Sequence, residues 1–208
     1  MRRVPYAIDD SAHSEDADVW FAMPPGFVSL PLEELATSRC PSAQVSSGLA
    51  DLGPVLRLAR LLVEAGTVHC SLGLHADDVG DGGPLLSLFI LAWRGTGWAP
   101  RSVLAARAAA CAERAEHIET LDLPCGPAAL VQSRLSAPPE LGLAAPRELL
   151  QVTVHAPCPD GERIAILSLA TTAVGQGRYY RALLTDIAVT VSFENPLTGT
   201  FIDAPDKE

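Results

Sequence analysis

The stretch RELLQVTVHAPCPDGERIAILSLATTA, Arg147 to Ala173, limits the folds open to this chain more than any other. Leu150, Val152, Val154 and Ala156 alternate with other residues, which is the period of a strand with one face buried. A second apolar run, ERIAILSLATTA, follows. Only Cys-Pro-Asp-Gly separates the two. Pro-Asp-Gly is a type I turn signal, with Gly161 free to take a positive φ. So short a link forces an antiparallel hairpin, because a parallel return needs a long crossover. Residues 157–161 are expected at its exposed tip.

The same stretch holds the most conspicuous candidate chemistry, His155 and Cys158 with Asp160 close behind. A thiolate–imidazole pair needs both side chains within hydrogen-bond reach. A zinc site needs about four ligands, and this segment offers two. His155 is out of phase with the Val152–Val154 face, and Pro157 and Pro159 hold Cys158 in an extended lead to the turn. The pair therefore reads as part of a hairpin, with Cys158 lacking a ligand partner.

Other segments supply the rest of an architecture. Val19–Ala22 and Phe27–Leu30 are short strands, and Pro31 opens a brief helix. Leu52, Val55, Leu56, Ala59, Leu62 and Val63 recur at helical spacing, with Gly66 placed as a C-cap. TVHCSLGLHA alternates, with Val68, Cys70, Leu72 and Leu74 on one face. It forms a hairpin with PLLSLFILAWRG. APRSVLAARAAACAERAEH is alanine-rich and helical. HIETLDLP and CGPAALVQSRLS read as two further strands. A helix from Arg178 to Ile187 and a last strand, Ala188–Phe193, close the domain. Helices with strands joined by short turns make an α+β fold, a mainly antiparallel sheet flanked by helices. Residues 19–194 are one domain, 1–18 an acidic disordered arm and 195–208 a tail. Residues 38–48 form a linker in front of the long helix.

Charge narrows the partners. The chain carries 25 Asp and Glu against 15 Lys and Arg, a net charge of −10. That argues against nucleic acid and anionic lipid, both of which want a basic face. It leaves a protein partner as the expectation. The longest apolar run, PLLSLFILAW, is half a membrane span, and the N-terminus lacks the apolar core of a signal peptide. A cytoplasmic location is expected, without membrane insertion. Lys207 is the sole lysine beside abundant Ala, Leu, Gly and Pro, a usage that points to a GC-rich, actinobacterial coding sequence. Cys40, Cys70, Cys111, Cys125 and Cys158 are odd in number and widely spaced, so most read as small core residues.

The remaining motifs fail on spacing. His69 and His75 share a strand face about 20 Å apart and cannot share a metal. Asp77 to Gly83 has three carboxylates, but Leu88 stands where a calcium loop needs glutamate. Gly95–Gly97 and Gly175–Gly177 precede helices without the third glycine of a dinucleotide loop. Trp93 and Trp98 bracket the first of these and read as core or rim packing. No residue takes a catalytic, cofactor-binding or metal-binding role on this reading.

Four segments carry a resemblance: MPPGFVSLPL, LDLPCGPAALVQSRL, LLQVTVHAPCPDGERIAILSLATTA and RYYRALLTDIAVTVSFENP. Together they resemble the PsbP-like α/β/α sandwich superfamily, including its LpqN-type and Eag-chaperone-like branches. The resemblance covers roughly residues 20–194, and the insertion from Ser38 to Gly66 departs from the simplest members. It implies an antiparallel sheet of six or more strands between helical layers. It implies binding or assembly rather than catalysis, with no cofactor and no family active site. The expectation is a non-enzymatic interaction module, an adaptor or chaperone, in a secretion or envelope-linked system among other settings. Small-molecule binding at His69, His75 or His155, an uncommon enzyme site, and a structural subunit of an assembly stand as alternatives.

Overall fold

A computed structural model describes residues 18–37, 53–76, 84–136 and 148–196. The proposed arm before Asp18, linker 38–48, Asp77–Gly83 loop and most of the tail lie outside the described residues. The strands are β1 (Phe27–Ser29), β2 (Thr67–Ala76), β3 (Pro84–Gly95), β4 (Ala115–Leu123), β5 (Gly126–Ser136), β6 (Glu148–Pro157) and β7 (Arg163–Thr171). The helices are α1 (Leu32–Thr37), α2 (Gly53–Glu64), α3 (Arg101–Ala110) and α4 (Gly177–Val189).

All seven strands form one antiparallel sheet in the order β1-β2-β3-β7-β6-β5-β4. The chain builds β1 to β3, crosses by α3 to the far edge, and winds back through β5 and β6. β7 then closes against β3, with Phe89 opposite Leu169 and Leu91 opposite Leu167. The fold is α+β, as expected, with helices on both faces.

One face carries the main core. Leu130, Leu150, Val152, Val154, Leu167 and Leu169 point to it from three strands, and Tyr180, Leu184, Ile187 and Ala188 of α4 lie on them. On the opposite face Ala105 and Ala109 of α3 meet Ala129 and Val131, where small side chains allow a close helix–sheet approach. Further along that face α1 and α2 cover Cys70, Leu88 and Ile90 with Leu32, Leu35, Ala59 and Leu62.

Three elements depart from the sequence reading. Ala188–Phe193 is not a strand: α4 runs to Val189, and Ser192 alone pairs, with Trp20. The β-branched residues suggested a strand, but Tyr180, Leu184, Ile187, Ala188 and Val191 keep helical spacing and bury one stripe. Val19–Ala22 likewise reduces to that bridge at Trp20. The alanine-rich helix stops at Ala110, and Arg114 at φ 54° turns the chain into β4. Pairing of Ala115 and His117 with β5 outweighs the helical propensity of those residues.

A fourth departure concerns which face of β2 is buried. Of Val68, Cys70, Leu72 and Leu74, only Cys70 is covered. The small and polar face is the one turned to the core: Ser71 is 1% exposed, opposite Phe89. Phe21 lies 5.7 Å and Phe27 6.4 Å from Phe89, ring centre to ring centre. Ser71 and Gly73 leave the volume these rings occupy, so aromatic bulk on neighbouring segments decides the burial. The two faces predict different mutational costs. Leu184→Ala, at 0% exposure, should cost about 2–5 kcal/mol in urea unfolding. Leu74→Lys, at 57% exposure, should stay within about 0.5 kcal/mol.

Candidate functional site

The β6–β7 turn is held by a dense set of polar contacts. The Cys158 amide donates to the Arg163 carbonyl (2.9 Å) and the Gly161 amide to the Cys158 carbonyl (3.1 Å). Gly161 takes φ 70°, as the turn chemistry required. Asp160 Oδ1 accepts from the amides of Glu162 (2.8 Å) and Arg163 (3.1 Å), and its Oδ2 from Arg163 Nε (2.9 Å). Arg163 also donates to Asp18 Oδ2 (2.9 Å) and lies 5.1 Å over the Trp93 ring.

The turn is not simply exposed, as residues 157–161 were expected to be. Pro159 and Asp160 are exposed, but Pro157, Cys158 and Gly161 are buried. The β3–α3 segment folds over them: the Thr96 amide donates to the Glu162 carbonyl (2.7 Å) and the Ala99 amide to the Gly161 carbonyl (3.1 Å). A Cβ at Gly161 would sit 2.9 Å from the Ala99 carbonyl oxygen, so the close approach itself requires glycine. Arg101, at the start of α3, donates to the carbonyls of Pro157 (3.0 Å) and Cys125, tying three loops together.

His155 and Cys158 do not form a pair. His155 sits within β6, opposite Ala129 and Ile166, and Cys158 lies past the strand end. Burial pushes the Cys158 thiol above its ordinary pKa, the wrong direction for a nucleophile. Burial, aided by the Arg94 charge, holds His155 down to about 4. Its Nδ1 is buried without a hydrogen-bond partner. His69 packs edge-on to Phe21 (5.1 Å) within the aromatic core, and His75 pairs with Leu85. Among the described residues, no three His, Cys, Asp or Glu side chains stand together as metal ligands.

Of the two glycine-rich segments, only Gly177 is held by close packing; a Cβ at Gly95, Gly97 or Gly175 would meet open space. Gly177 begins α4 against Gln132, where a Cβ would lie 2.8 Å from Oε1. That amide accepts from Arg181 and donates to Glu116 Oε2 (3.2 Å), and Glu116 pairs with Arg134 (3.0 Å). Gly95 and Gly97 lie in the segment that covers the turn. Trp98, expected in a core or rim, is 71% exposed beside Gly161. Trp93 is the half-buried one, 5.9 Å from Phe193. Cys70 is buried as expected, Cys158 is buried although an exposed tip was expected there, and Cys111 is exposed at the end of α3.

The surface that sequence reasoning missed is apolar. Val28, Leu72, Leu74 and Leu86 are 67%, 40%, 57% and 52% exposed. Val28 stands opposite Leu72, and Leu74 opposite Leu86, so the four share one face of β1-β2-β3. The alternation had marked Leu72 and Leu74 as apolar, but only the fold shows that among the described residues no helix covers them. No protein-family model matches the chain, and a search of curated proteins returns no match. No helix among the described residues is long and apolar enough to cross a membrane.

Two pH effects follow from this geometry. Desolvation raises the Asp160 pKa, but the Glu162 amide, the Arg163 guanidinium and the Arg163 amide outweigh it and hold the carboxyl down at about 2. Its contribution is therefore complete above its ordinary value near 3.8 and lost as pH falls through about 2. Asp160→Ala should cost about 1 kcal/mol near neutral pH, and the difference from wild type should shrink in urea titrations toward pH 2. For His155 the unfolded imidazole protonates near 6.5 and the folded one near 4, so stability drops as pH falls through that window. His155→Phe should remove on the order of 2 kcal/mol of that pH dependence, read from unfolding midpoints across the same range.

Proposed function

We propose that this chain is a non-enzymatic protein-interaction module of the PsbP-like α/β/α type, acting as an adaptor or chaperone. The uncovered apolar face of Val28, Leu72, Leu74 and Leu86 carries the reading. Four large apolar side chains in cross-strand contact are unfavourable in water, and a contiguous patch of this kind marks a surface that another molecule covers. The polar residues support the same view. The carboxylate of Asp160 is used in a turn, the thiol of Cys158 is held protonated, and His155 stands apart from both. The sequence resemblance, together with an antiparallel sheet clad by helices on both faces, supports the superfamily placement.

The acidic chain favours a partner whose apolar contact is flanked by arginine or lysine. Affinity capture from a native lysate tests the proposal with wild type beside the Leu74→Asp/Leu86→Asp variant. A protein that wild type retains and the variant loses is the expected outcome. Recovery of nothing specific, or equal recovery by both, would overturn it.

A further inference from the structure

The helices on the α3 face leave the middle of the sheet between them. α3 lies over β5 and β6, and α2 over β2. β7 and β3 run between the two helices. Ile166 of β7 and Ala92 of β3, opposite each other on this face, are only half-buried although strands flank both. A residue at the centre of a sheet keeps partial exposure where no full layer covers it. Ile90, leaning on the α1–α2 cluster, forms one bank of this groove. Ser168 lies opposite Ile90, and its hydroxyl is already bonded to Thr153 (3.2 Å) and Gln151 (2.7 Å). That row presents no unpaired polar group.

At one end of the groove two donors stand without an acceptor. His155 lies beside Ile166. Its Nδ1 is buried with no hydrogen-bond partner, and Nε2 is the ring nitrogen left open. A buried N–H without a partner is rarer than a buried lone pair without one, so the neutral imidazole carries its proton on Nε2. That N–H points to the open side. Arg94 follows Ala92 by two residues on the same face and is exposed. Its charge is felt at His155. It makes no ion pair among the described residues. α3, β3, β5 and β7 contain no Asp or Glu, and Glu148 stands at the far end of β6. In a chain of net charge −10 this is a local positive site.

We propose that the groove between α2 and α3 binds a small apolar carboxylate, with its head at Arg94 and His155 and its hydrocarbon body on Ala92, Ile166 and Ile90. The head group follows from the donors. One carboxylate oxygen accepts the Nε2–H of His155 and the other accepts from the Arg94 guanidinium. The body follows from the floor. A bare inorganic anion would leave Ile166 and Ile90 in water, whereas a hydrocarbon chain covers them. The site is separate from the Val28–Leu74 patch and stands independently of the protein partner proposed above.

Isothermal titration calorimetry of the full chain with octanoate at neutral pH tests the proposal. Acetate supplies the head alone, octanol the body alone, and octylammonium the reversed charge. Octanoate should bind at one site, and each of the three controls roughly tenfold more weakly or worse. Arg94→Ala should weaken octanoate by roughly tenfold, and Arg94→Lys by less, because lysine keeps the charge and loses the fork. Arg94 is exposed, so an unchanged urea midpoint is expected and establishes that these variants are folded. Bound octanoate should shift the His155 ring resonances in NMR spectra of wild type, assigned by their loss in His155→Phe. The Leu74→Asp/Leu86→Asp variant should bind octanoate as wild type does. Absence of octanoate binding, equal binding of octylammonium, indifference to Arg94→Ala, or His155 resonances unmoved at saturation would each overturn the proposal. Loss of binding in the Leu74→Asp/Leu86→Asp variant alone would place the ligand on the other patch and overturn it too.

Discussion

The pairing of β3 with β7 is the contact on which the rest of the architecture depends. It joins an N-terminal group of strands to a C-terminal meander, residues far apart in sequence, through a ladder from Ser87–Thr171 to Gly95–Arg163. Phe89, Leu91, Leu167 and Leu169 are at most 1% exposed along it. Each such side chain contributes about 1.5–3 kcal/mol on burial, more than the roughly 0.5–1.5 kcal/mol that a single backbone hydrogen bond adds on net. Without this seam α4 would lose part of the floor under Tyr180 and Leu184. A ladder so non-local is slow to form, because loop-closure entropy is spent before the contacts repay it.

Polar groups of the molecule mostly serve this frame. Asp160 and Arg163 lock a turn, and the same guanidinium reaches Asp18 and stacks on Trp93. Arg101 ties the start of α3 to the ends of two hairpins. Gln132 fills the space that Gly177 leaves and links α4 to the β4–β5 edge through Arg181 and Glu116. His155 is the exception, a half-buried imidazole whose buried Nδ1 lacks a hydrogen bond and whose pKa is lowered by desolvation and the Arg94 charge. Such a residue makes the fold acid-sensitive without giving it a reactive group.

Interaction potential then lies at the two lateral ends of the sheet. At one end β2 and β3 reach past the cover of α1 and α2 and present leucines to the surface. At the other, β4 is an edge strand of nine residues. Both follow from helices that are shorter or set further in than the sheet is wide.

Much of this was legible in the residues. The Pro159-Asp160-Gly161 turn, the alternation of Leu150 to Ala156 and the helical spacing before Gly66 are local patterns, and local sterics and hydrogen bonding determine them. The fold class and the separation of His155 from Cys158 followed from the same periods. Tertiary structure decided what local pattern leaves degenerate. A period of two marks an apolar face on β2 but not whether anything covers it, and the volume of Phe21, Phe27 and Phe89 turned the other face inward. Ala188–Phe193 reads locally as a strand, but burial of the Tyr180–Leu184–Ile187 stripe carried the helix on to Val189 instead. Sequence alone determined the turns and the strand periods, because these are set within a few residues. Packing decided strand order and which faces and edges stay open, because burial is a property of neighbours that the chain brings together only on folding.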